Sequence, residues 1–158
     1  MNLYPRIVQL EQLLLTVWVG ALLAIGYLAV PVLFQQLDDR RLAGELAGQM
    51  FHWVHVLGLV CGLSLLLIAY YVSRHDLSAY LRQWRYYVLL AMLLLIVLDI
   101  FVLQPQMAAI KLQVGWHDST ELMARFGMLH GIASLMYLLT SIGGVVLVLN
   151  GLRAEAGK

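Results

Sequence analysis

Charged side chains are few in this sequence: ten Lys and Arg and nine Asp and Glu among 158 residues, against 62% hydrophobic residues. A water-soluble domain of this size turns a charged shell outward, and so small a complement, gathered in a few short segments, cannot make one. An ordinary soluble domain is thereby excluded. The formal net charge of +1 lacks the basic footprint of a nucleic-acid binder. Cysteine is scarcer still. The single Cys61 permits no intrachain disulfide and no cysteine metal cluster, and its place within an apolar run suits a small buried packing residue. No internal repeat, linker or soluble extension is visible, so residues 1–158 read as a single domain.

Long apolar stretches are what the chain has instead. Four of them, at about residues 13–34, 50–72, 86–103 and 126–149, are separated by the clusters of charge. A hydrocarbon core of roughly 30 Å needs about 20 residues of helix, and peptide groups crossing it cannot stay unpaired. The alternating pattern of a β-barrel is missing, because the runs are continuous, as in 63–69 and 88–98. The sequence therefore predicts an all-α, polytopic membrane protein built as a bundle of four transmembrane helices. The first run is longer than the core of a cleavable signal and has little positive charge before it, so it is expected to be retained.

Orientation follows from the basic residues. Arg6, Arg74, Arg82, Arg85, Arg153 and Lys158 fall on one side, and Arg40, Arg41, Lys111 and Arg125 on the other. The first side is expected to be cytoplasmic, which places both termini inside and the protein in a bacterial inner membrane. Tyr70, Tyr71, Trp84, Tyr86 and Tyr87 at the inner ends, and Phe34, Trp53 and Trp116 toward the outside, read as interfacial anchors. Segment 35–49 reads as a short amphipathic stretch along the membrane surface, with Asp38 or Asp39 capping a helix that runs on into span two. Segment 104–121 is expected to be interfacial too, with Asp118 or Ser119 capping span four. The inner connection, 73–85, is short and basic, so spans two and three should be antiparallel neighbours.

Helices associate in lipid by close approach, so small residues mark candidate contact faces. Gly58 with Gly62, and Gly127 with Gly131, form G-x-x-x-G pairs. In span one Thr16, Gly20, Ala24, Tyr27 and the structural Pro31 share a helical face, and in span four His130, Ser134, Tyr137, Ser141 and Gly144 do so. Both faces are expected to point into the bundle, with Ser134 and Tyr137 as buried pairing groups.

Few ionisable groups lie inside the runs, and each is costly there without a partner or a task. Asp99, His52, His55 and His130 all fall within roughly 10 Å of the outer surface by helical rise. Asp99 is expected to pair helices, with His130 or Arg125 as its partner. Three functional readings of His52, His55 and His130 are open: a metal site, a haem b held by a histidine from each of two helices, or a proton relay with Asp99. The structural reading is that these groups bond between helices or to interfacial water. His75 and His117 are assigned no role.

In the order Trp18-Val19-Gly20, Pro31-Val32-Leu33-Phe34, Ala43-Gly44 to Phe51-His52, and Phe126-Gly127-Met128-Leu129-His130-Gly131, the chain resembles the bacterial domain of unknown function 4149 family, related to transmembrane protein 205. The resemblance implies a four-helix membrane protein without an established activity. It also implies a distant likeness to copper-resistance membrane domains and to a haem-binding protoporphyrinogen oxidase family of similar size. That oxidase family carries an early histidine in its first span, and span one here has none.

Two expectations about function result. The first is a non-enzymatic small membrane or accessory protein, embedded in the lipid bilayer and packing with itself or with a larger membrane complex. The second is a haem- or copper-binding protein using His130 with His52 or His55.

Overall fold

The computed structural model describes residues 3–73 and 84–152, and every regular element in that range is helical. Helix α1 (Leu3–Ala24) passes through a π-helical turn, Ile25–Ala29, into α2 (Val30–Gln36). Helix α3 (Arg40–Ser73) is continuous. Helix α4 (Trp84–Leu98) passes through a second π turn, Asp99–Leu103, into α5 (Gln104–Lys111), and α6 (Thr120–Asn150) closes the fold. These elements compose four units of 28 to 32 residues, each long and apolar enough to cross a membrane. Even the shortest extends about 42 Å by helical rise, against a hydrocarbon core of roughly 30 Å.

The four spans run alternately up and down. The described chain ends share one side, here the terminal side, and the turns at 37–39 and 112–119 lie on the opposite, distal side. Each span packs on its neighbours in sequence and the fourth returns to the first, the up-down arrangement that short connections favour. Spans two and three are therefore adjacent, as expected; their connection at 74–83 lies outside the described residues.

In span one the face that turns inward differs from the small-residue expectation, whereas in span four Ser141 and Gly144 are buried as expected and His130 and Ser134 are exposed. In α1 the buried stripe is Glu11, Leu15, Trp18, Val19 and Leu22, spaced three or four apart. Thr16, Gly20, Ala24, Tyr27 and Pro31 are exposed. The reason is volume. The centre of the bundle is filled by Trp18, Leu22, Leu65, Leu89, Met92, Ile96 and Leu147, and large side chains reach that centre where small ones would leave voids. Glu11 is 2% exposed, because α1 begins ten residues before the apolar run does and carries the acid into the bundle on the same stripe as Leu15 and Trp18.

On the distal side, Asp39 Oδ1 accepts from the backbone N–H of Arg41 (2.8 Å) and of Leu42 (3.2 Å), capping α3. Residues 40–49 are therefore the opening turns of span two and not a separate surface segment. Ala43 and Ala47 in them are buried. Span three likewise runs on into α5, and Leu103 of the π turn with Met107 and Ile110 of α5 packs against Leu129 of α6. Ser119 Oγ caps α6 by accepting from the N–H of Leu122 (3.4 Å).

Both π turns end two residues before a proline, at Pro31 and at Pro105. A proline within a helix removes one N–H and its ring collides with the carbonyl four residues back, so widening the preceding turn relieves the collision. The widened bonds are Val30 N–H to Ile25 O and Gln104 N–H to Asp99 O. Of the expected anchors, Tyr70, Tyr71, Trp84, Tyr87, Phe34 and Trp53 are exposed, while Tyr86 is buried at 2% and belongs to the core. Cys61 is buried.

Candidate functional site

Asp99 opens the second π turn, and the geometry of that turn sets its surroundings. Gln104, five residues on, gives its backbone N–H to the Asp99 carbonyl, and its side-chain Nε2 donates to Asp99 Oδ2 at 3.1 Å. Across from span two, His55 Nδ1 lies 3.0 Å from the same oxygen, with both side chains buried. The imidazole is not aligned as a hydrogen-bond donor to it, so this is a close polar contact and not a directed bond. In this layer span three meets span two through one carboxylate oxygen. The other, Oδ1, is buried without a protein partner among the described residues. A void of about 10 Å³ adjoins His55, Asp99, Tyr137 and Thr140, room for about one water molecule.

Tyr137 closes this layer from span four. Its hydroxyl donates to the Leu22 carbonyl of span one at 2.6 Å, and its ring makes an edge contact with Phe51 and a tilted one with His55. Gly26 permits the approach, since a Cβ there would collide with the Tyr137 ring. Spans one, two and four are tied by one phenol. Ser134, Thr140 and Ser141 return their hydroxyls to carbonyls one turn back in their own helix, so Ser134 pairs no helices and is exposed.

The three histidines do not converge. His55 turns inward to Asp99, His52 is exposed with its ring edge-on to Trp53, and His130 is exposed and stacked on Phe126. His52 and His55 are three residues apart, about 60° around a helix, which suffices to put one in the core and the other outside. Among the described residues no three His, Cys, Asp or Glu side chains are grouped to hold a metal. The partner of Asp99 is His55, and not the expected His130 or Arg125.

The glycine pairs also divide. Gly58 is buried, and a Cβ there would lie 2.6 Å from Trp18 Nε1 and 2.8 Å from Ile96 Cδ1; at Gly62 it would collide with Leu93. At Gly20, Gly127 and Gly131 an added methyl group would meet nothing within 4 Å. Nothing packs on Gly127 and Gly131 because the turn of α6 that carries them meets α5 with its opposite side, through Leu129.

A second feature lies on the distal side. A cavity of about 470 Å³ opens between α2, the first turns of α3, α5 and the start of α6, within the range typical of small-molecule sites. Its walls include Phe34, Phe51, Met107 and Phe126, and Gly44 and Gly48 widen it. Arg40, Arg41 and Lys111 supply cations, against one carboxylate, Glu45. Arg41 Nε lies 3.6 Å from that carboxylate. Lys111 Nζ sits over the Phe126 ring at 5.5 Å from its centroid, a cation–π distance. Gln104 lines the cavity as well as bonding Asp99, so it stands between this space and the buried pair. Sequence reasoning missed the cavity because its basic residues read only as loop charges. It missed Gln104 because a residue at the end of a run shows its role only once the π turn brings it back to Asp99.

A family model described as a domain of unknown function, DUF4149, matches residues 13–115. The chain belongs to that family. The matched stretch contains His55, Asp99 and Gln104 and most of the cavity wall, and it stops before α6. Comparison with curated proteins and with solved structures returned no match.

Proposed function

We propose that this four-span protein works by binding, as a non-enzymatic accessory protein of the membrane, through its distal cavity. The observation that carries this reading is the cavity of about 470 Å³ shared by all four spans, above a buried layer joined through Asp99 Oδ2 and the Tyr137 hydroxyl. Asp99 is held between His55 and Gln104, and Tyr137 is bound to Leu22. Such a layer fixes the floor of a pocket. The same proposal includes the bilayer as surroundings, a second copy or a larger membrane complex as partner, and a bacterial inner membrane with cytoplasmic termini. The distribution of Lys and Arg supports that orientation.

The test is to purify the full chain in a mild detergent and examine what it retains. A non-covalent organic ligand, with no haem absorption band and no stoichiometric copper, is the expected result. A haem band or stoichiometric copper that is lost on His55→Ala would overturn the binding reading in favour of a redox or metal-handling role.

A further inference from the structure

We propose that the distal cavity takes an amphiphile with an anionic headgroup, the anion between Arg40 and Lys111 and the apolar part against Phe51 and Met107. This deepens the binding reading above and rests on it. Charge complementarity carries it. Three cations and one carboxylate line the space, the carboxylate is engaged by Arg41, and neither Arg40 nor Lys111 has an ion-pair partner among the described residues.

Depth agrees with charge. If each span is centred on the bilayer, helical rise puts Arg40 and Lys111 roughly 20–24 Å from the midplane, beyond a hydrocarbon half-thickness of about 15 Å. Phe51 falls at roughly 7 Å and Met107 at roughly 14 Å by the same measure, within the hydrocarbon, and Phe34 at roughly 20 Å, level with Lys111. The cations therefore sit at headgroup level with Phe34, and the deeper apolar wall, Phe51 and Met107, lies at acyl level. One molecule with a charged end and a greasy end matches both zones, whereas a free anion would leave the apolar wall uncovered and a neutral amphiphile would leave two cations unmatched.

The geometry also supplies a way to block the site without unfolding the protein. A Cβ at Gly48 meets nothing within 4 Å, and Gly48 lines the cavity. Gly48→Leu therefore grows into the open space, and leucine suits a helix better than glycine.

The experiment uses the purified full chain in nonionic detergent, titrated with dihexanoyl phosphatidylglycerol, dihexanoyl phosphatidylcholine and inorganic phosphate, with binding read by thermal shift and by native mass spectrometry. One phosphatidylglycerol per chain is expected. Affinity should fall at least tenfold in the Arg40→Gln/Lys111→Gln double variant, vanish in Gly48→Leu, and be unchanged in Arg125→Gln, which alters a cation outside the cavity. Phosphatidylcholine bound equally well, and lost in Gly48→Leu but not in the charge variant, overturns the anionic headgroup and leaves the binding reading standing. Phosphate competing at the same concentration overturns the need for an apolar part. Binding that survives Gly48→Leu overturns the cavity as the site. No binding of any probe by the wild type overturns both proposals.

Discussion

The two G-x-x-x-G pairs look alike in sequence and should respond in opposite directions to the same change. Gly58→Ala places a methyl group 2.6 Å from Trp18 Nε1 and 2.8 Å from Ile96 Cδ1, both closer than real Cβ contacts come. Trp18 is fully buried and its rigid indole has nowhere to swing. Overpacking of this kind costs about 1–3 kcal/mol, against a helix-propensity gain of about 1 kcal/mol for replacing glycine. The expected net effect is a loss of up to about 2 kcal/mol. Gly127→Ala meets nothing within 4 Å, so only the propensity gain applies, and stability should hold or rise by up to about 1 kcal/mol. Equilibrium unfolding of the full chain in mixed micelles with rising sodium dodecyl sulfate would measure both. Tryptophan fluorescence of a background with Trp53, Trp84 and Trp116 changed to Phe would report the Trp18 environment. If Gly58→Ala is as stable as the wild type, or Gly127→Ala is the more damaging of the two, the assignment of inward faces is wrong.

Three further expectations follow from the polar layer and the prolines. Asp99→Leu or His55→Leu alone should destabilise by about 1–3 kcal/mol because each removes a buried partner from the other, and the double Asp99→Leu/His55→Leu variant should lose less than the two single changes added together in a double-mutant cycle. Additive losses would show that the 3.0 Å contact couples nothing. Tyr137→Phe removes one hydroxyl donating to the Leu22 carbonyl and should cost about 0.5–1.5 kcal/mol in the same unfolding assay, with no change in secondary structure by circular dichroism. Pro105→Ala restores an N–H and relieves the ring clash, so the turn at Asp99–Leu103 should tighten toward an α-helix and draw Gln104 away from Asp99. Carbon chemical shifts of 99–104 that do not move would argue that the π turn has another cause.

The expectation of four spans was legible because it depends on run length and composition alone. Any apolar stretch of about twenty residues has to cross as helix, whatever its neighbours do. The caps at Asp39 and Ser119 were legible for a similar reason, since a cap acts within one turn. The helix starts were less so. Hydropathy stops at the charges near residue 11 and residue 45, but backbone hydrogen bonding continues through them, and Glu11, Ala43 and Ala47 are buried as a result.

Facing is what the chain's own pattern left open. A span surrounded by lipid is apolar on every side, so it carries no polar stripe to mark its outside as a soluble helix does. Small residues are then a guide only where a partner supplies bulk opposite them. Gly58 faces Trp18 and Ile96, while Gly20, Gly127 and Gly131 face nothing. For the same reason the three histidines could be placed at one depth from sequence, whereas rotation about each helix decided that His55 alone meets Asp99. Composition and run length determined that this protein lives in hydrocarbon as four helices. Tertiary packing decided which sides of those helices meet, and with that the buried Asp99 layer and the basic cavity above it, because both are assembled from residues of different spans that no single stretch of chain brings together.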